Sequence, residues 1–86
     1  MREGLYYQIA GLPDRENLVA ELWLDDCEWG EISNEDGNVV LELYPHPSGG
    51  PWRLDLVEVE HLINLARRDL VEGRPPQEAA RVNPRG

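Results

Sequence analysis

Carboxylates dominate the residues of this chain that could do chemistry. Ten of its seventeen acidic residues lie between Asp14 and Glu42, where Arg15 is the single cation. Outside that stretch seven acids face seven arginines, so the net charge of −9 resides almost wholly in one block. Dense carboxylates can exchange protons as an acid–base pair, ligate a hard cation, or attract a basic macromolecule. Carboxylate pairs could do acid–base work, but a domain this small has little room to exclude water. An enzyme site would also set a nucleophile, a base and an oxyanion donor in a cleft. Nothing in the sequence assembles that set, and the chain is read as a non-enzyme. Calcium or magnesium needs oxygens converging on one point. Asp25-Asp26 with Glu28 resembles part of a cation loop but lacks the spaced ligands and glycine of an EF-hand, so a solvated turn is the plainer reading.

The remaining reactive types are isolated. His46 sits between prolines and His61 falls in a helical pattern, with no Cys or Asp at ligand spacing, so both read as surface residues. Cys27 is surrounded by Asp25, Asp26 and Glu28, which raise a thiol pKa and argue against a nucleophile. Gly49-Gly50 is not followed by a phosphate-cradling motif. No cofactor and no metal is expected.

An apolar content of 41% over 86 residues suits one domain with a small, marginal core. Its expected extent is 1–73, followed by a flexible tail, 74–86, that is polar and proline-containing. One cysteine excludes an intramolecular disulfide. No apolar run is long enough for a bilayer, and Met-Arg-Glu-Gly does not open like a secretory signal; a cytoplasmic location is the expectation. Nucleic acids and anionic membranes are polyanions and disfavour so acidic a chain, whereas a basic protein favours it.

The elements that must carry these carboxylates follow from periodicity. Leu5 to Ile9 reads as a strand. Asn17 to Asp25 alternates, with Leu18, Ala20, Leu22 and Leu24 on one side and Val19, Glu21, Trp23 and Asp25 on the other. Asp25-Asp26 breaks it, and Glu28 to Ser33 is a third strand. Asp36-Gly37 signals a type I′ hairpin turn, leading into a fourth strand, Val39 to Tyr44. After a proline–glycine loop, Asp55 is a helix N-cap with Glu58 three residues on and a Leu54/Val59 staple. Val59, Leu62, Ile63, Ala66 and Leu70 form one apolar stripe, and Gly73 with Pro75-Pro76 ends the helix. Leu65 and Val57 fall outside the stripe and suggest a second contact, such as a dimer seam. The predicted fold is α+β: a four-stranded antiparallel β-meander with one C-terminal helix packed on one face and a disordered C-terminal tail. Leu18, Leu22, Ile32, Leu41 and Leu43 are assigned to the face beneath the helix.

Parity then populates the other face, because a slip of one residue swaps sides. The Asp36-Gly37 turn pairs Ile32 with Leu41, Glu31 with Glu42 and Trp29 with Tyr44. The tightest matching register for the preceding hairpin sets Trp23 opposite Trp29 and Glu21 opposite Glu31. An uncovered face would carry two rows, Trp23–Trp29–Tyr44 and Glu21–Glu31–Glu42. Aromatic cross-strand pairs stabilise by roughly 0.2–1 kcal/mol, whereas like charges placed opposite one another destabilise by similar amounts. The carboxylate row is therefore either a strained, solvated surface or a face that meets a cation.

In size, acidity, the stretches "ELWLDDCEWGEIS" and "NVVLELYP", and the closing "WRLDLVEVEHLINLARRDL" helix, the chain resembles small acidic bacterial proteins of the immunity and antitoxin type. That resemblance implies an inhibitor that covers the basic site of a partner, often a toxin or nuclease. On this reading Glu21, Glu31 and Glu42, with Asp25 and Asp26, stand in for substrate phosphates, and Trp23, Trp29 and Tyr44 are desolvated anchors. The alternative is a structural or oligomerisation protein that self-associates through its Trp-rich sheet face, for instance as a weak homodimer.

Overall fold

The structure, a computed structural model, describes residues 4–11, 18–71 and 80–81. Strands β1 (Leu5–Gly11), β2 (Leu18–Leu24), β3 (Cys27–Glu35) and β4 (Asn38–Leu43) form an antiparallel meander, followed by helix α1 (Leu56–Val71) and a short β5 (Ala80–Arg81). The order across the sheet is β4-β3-β2-β1-β5. A two-residue pairing leaves no periodicity to read, so the sequence reading of 74–86 as tail did not include β5. Its Arg81 lies opposite Tyr6 and its Ala80 opposite Tyr7. The rest of 72–79 and 82–86, including the expected helix stop at Gly73 and Pro75-Pro76, lies outside the described residues.

The β3–β4 hairpin turns as its sequence demands. Asp36 and Gly37 take φ values of 56° and 93°, and the Asn34 side-chain carbonyl accepts the Gly37 amide at 3.0 Å. Glu35 pairs with Asn38, Ile32 with Leu41 and Glu31 with Glu42. Asp25 opens the β2–β3 turn with φ 53°. Its amide donates to the Gly4 carbonyl at 3.0 Å, and its carboxylate accepts the Gly4 amide at 2.6 Å. The start of β1 is thereby tied to the turn.

The β2–β3 register departs from strict parity. Glu21 does lie opposite Glu31 and Leu22 opposite Gly30, but Trp23 lies opposite Glu28 and not opposite Trp29. One extra residue on β3, a β-bulge, shifts the pairing between Leu22 and Trp23. Trp29 is consequently carried to the helix side, where it is 3% exposed within the core. Gly30 admits this irregularity. A Cβ there would stand 2.9 Å from the Glu42 carbonyl oxygen, a backbone atom fixed by the β3–β4 ladder.

The helix begins as expected: the Asp55 carboxylate accepts the Glu58 amide at 3.0 Å, and its carbonyl accepts the Val59 amide at 2.9 Å. Leu62, Ala66 and Leu70 are buried against Leu5, Tyr7, Ile9, Ala20, Leu22, Trp29 and Ile32. At the far end of α1, the Tyr7 hydroxyl donates to the buried Asp69 carboxylate. The helix packs on β1, β2 and β3. A helix is about 10–12 Å across and strands are about 4.8 Å apart, so one helix spans two to three of them. The sequence placed Leu41 and Leu43 under it; the structure leaves them 45% and 65% exposed.

Candidate functional site

Three glutamates on three adjacent strands meet on the face opposite the helix. Glu21 pairs with Glu31 and Glu31 with Glu42, as the parity argument required. Glu28, displaced by the bulge to the position opposite Trp23, joins them at that end of the sheet. The sequence reading sets Glu28 at the start of the third strand, beside the turn acids, and leaves it out of the carboxylate row. Gly30 carried the missed signal, because an isolated glycine within a strand pattern marks a bulge or a close backbone approach.

The face is not bare, as had been expected of it. Glu31 is 6% exposed, and Val19, Ser33 and Tyr6 are buried beside it. Glu21, Trp23, Glu28 and Tyr44 are half-buried, while Glu42, Asp25 and Asp26 are exposed. Polar side chains are arranged around the inner carboxylates. Gln8 donates to Glu21 Oε1 at 3.2 Å, and the Trp23 indole N–H reaches the same oxygen at 3.4 Å. The Tyr44 hydroxyl donates to Glu31 Oε1 at 3.2 Å. The aromatic row expected here is broken, because Trp29 has left it. Tyr6 takes its place beside Trp23, with the rings parallel to within 7° and 6.0 Å apart.

Electrostatics follow from the crowding. Burial, and then the neighbouring Glu21 and Glu31 charges, push the Glu28 carboxyl up from its ordinary 4.5 to about 7. Tyr44 is pushed up to about 12 by burial, then by the charges of Glu31 and Glu28, its hydrogen bond to Glu31, and Glu42. It therefore remains a phenol, and a donor, at any ordinary pH. Glu28 is thereby poised to change charge near neutrality.

Asp25 and Asp26 are set apart in role. Asp25 holds the β1 start through Gly4, and its carbonyl accepts the Tyr6 hydroxyl at 3.0 Å. Asp26 stands exposed at the turn. His46 is engaged within its own loop, where its Nδ1 accepts the Ser48 amide at 3.0 Å and lies 2.8 Å from the Ser48 hydroxyl. Its ring leans on Trp52 at 4.4 Å, and the Trp52 indole donates to the Tyr44 carbonyl at 3.0 Å. Among the described residues no three His, Cys, Asp or Glu side chains are placed to hold a metal ion, and no helix is long and apolar enough to cross a membrane. Comparison of the chain with protein families, with curated proteins and with solved structures yields no match.

Proposed function

We propose that this chain is a small protein-binding module whose acidic sheet face covers the basic site of another protein, in the manner of a cytoplasmic immunity or antitoxin protein of bacteria. The observation that carries this reading is the lateral run Glu21–Glu31–Glu42, joined by Glu28, on one face of a rigid sheet. Like charges held side by side destabilise a sheet on its own. A cationic partner reverses the sign of that term. Glu42 and Asp26 are the exposed acids of this face, and Glu28, Trp23 and Tyr44 lie half-buried beside them. Trp29 has no place in the interface, being a core residue. The same carboxylates disfavour nucleic acid.

Arginines or lysines docking on this face would hold Glu28 ionised, so complex formation near pH 6–7 releases a proton and tightens as pH rises. The test uses the basic protein that the chain captures from a host lysate at low salt and releases at high salt. A Glu21→Gln, Glu28→Gln, Glu42→Gln triple variant should associate about tenfold or more slowly at low salt, with the difference closing as salt is raised. Equal association rates for the triple variant and the parent at low salt would overturn the reading. The Trp-rich self-association alternative is weaker, since the bulge leaves Trp23 as the one indole of that face.

A further inference from the structure

We propose that β4 pairs edge to edge with β4 of a second copy of this chain, antiparallel and centred on Leu41. β4 ends the sheet, so among the described residues one side of its backbone has no neighbouring strand. Which residues face that side follows from the hairpin. A two-residue turn closes on a pair, here Glu35 and Asn38, that exchange their backbone bonds. At the other end the Tyr44 amide donates to the Trp29 carbonyl at 3.0 Å. Even-numbered residues of β4 thus direct their amides and carbonyls at β3. Those of Val39, Leu41 and Leu43 point to the open edge. The side chains of the same three residues lie on the helix side, beyond the helix, 43%, 45% and 65% exposed.

Sheet proteins blunt such an edge with proline, lysine or charges turned inward. Asn38 to Leu43 contains no proline and no lysine, and its one charge, Glu42, lies on the opposite face. The strand is also self-complementary. A two-fold axis through the sheet keeps faces matched only when paired residues have the same parity. Centring on Leu41 sets Leu41 against Leu41, Val39 against Leu43 and Val40 against Glu42, and every outward amide and carbonyl of the three edge residues finds a partner. Moving the centre to Glu42 opposes two carboxylates. Moving it to Val40 leaves Leu43 against the Gly37 turn. The Leu41 register also brings the Asp36 turn of each copy toward the Tyr44–His46 segment of the other, so an imidazole and not a carboxylate meets that acid.

A six-residue strand pair is small beside the roughly 800 Å² per partner of a standard interface. The dimer therefore belongs to the micromolar range or weaker. Two copies of charge −9 repel each other, so added salt tightens this association. The same titration weakens capture of a basic protein by the acidic face. The two claims concern different surfaces and fail separately.

Sedimentation equilibrium and hydrogen exchange on the full chain decide it. Dimer should accumulate between about 10 µM and 1 mM protein, more so near 500 mM salt than near 50 mM. Protection of the Val39, Leu41 and Leu43 amides should rise with concentration, while Val40 and Glu42, already bonded to β3, stay constant. Leu41→Pro removes an outward amide and leaves the β3 ladder intact, and Leu43→Lys places a charge in the seam. Each should weaken the dimer about tenfold or more. A chain that stays monomeric at about 1 mM in high salt, a dimer whose protected amides lie elsewhere, or a dimer indifferent to Leu43→Lys would overturn the proposal.

Discussion

Replacing Trp29 by alanine should lower folding stability by about 3–5 kcal/mol, whereas Trp23→Ala should cost about 1 kcal/mol or less. The two indoles are close in sequence and were expected opposite one another on one face. The bulge separates them: Trp29 belongs to the buried cluster that includes Leu5, Leu22, Ile32 and Leu62, while Trp23 lies half-buried on the other face, stacked on Tyr6. A domain this small has about 5 kcal/mol in hand, so Trp29→Ala should be largely unfolded. Urea melts followed by far-ultraviolet circular dichroism separate the two variants. Trp29→Phe refines the result. The Trp29 indole nitrogen is buried with no hydrogen-bond acceptor among the described residues. An unsatisfied buried donor costs about 1–3 kcal/mol, which phenylalanine removes while giving up some volume, so Trp29→Phe should lie within about 1 kcal/mol of the parent. Equal losses for Trp29→Ala and Trp23→Ala would show that no bulge carries Trp29 inward.

The second large effect is a gain. Glu28→Gln should raise the melting temperature at pH 8 and leave it unchanged at pH 4. Below pH 4.5 the carboxyl is protonated in folded and unfolded chains alike. Between 4.5 and about 7 the unfolded chain has released that proton and the folded chain retains it, so rising pH favours unfolding across this window. Above about 7 both states are ionised and the penalty is constant. Without screening, a shift of this size corresponds to roughly 3 kcal/mol. The side chain is half-exposed, and solvent reduces the effect to about 1–2 kcal/mol. For a domain of this length that is a gain of roughly 5–10 °C. Thermal scans of both proteins at the two pH values test it, and an identical gain at pH 4 would remove the carboxylate crowding as its cause.

Much of this arrangement was legible in the residues. Asp36-Gly37 dictated a left-handed pair of turn residues, and the turn then fixed every β3–β4 partner through Glu31 and Glu42. Asp55 supplied a cap whose spacing to Glu58 is visible in the chain itself. Parity carried the glutamate row as far as Glu21, because alternation is a local rule and holds until a residue is inserted. It failed at Trp29, where the insertion leaves no trace in hydrophobicity; only Gly30 betrays it. The helix stripe showed that one face is covered but not how many strands lie beneath it. The width of a helix against the spacing of strands answers that, and it leaves Leu41 and Leu43 outside. The link between Tyr7 and Asp69 spans most of the chain and has no local signature.

The unblunted edge of β4 and the acidic block together make charge a colloidal safeguard. At neutral pH seventeen acids against eight arginines hold neighbouring molecules apart, so strand addition stays sparse and reversible. Acidification toward the isoelectric point near 4.5 removes that restraint and leaves the strand edge as it was. Precipitation rich in intermolecular sheet, visible by infrared absorption, should then set in well before the fold itself is lost.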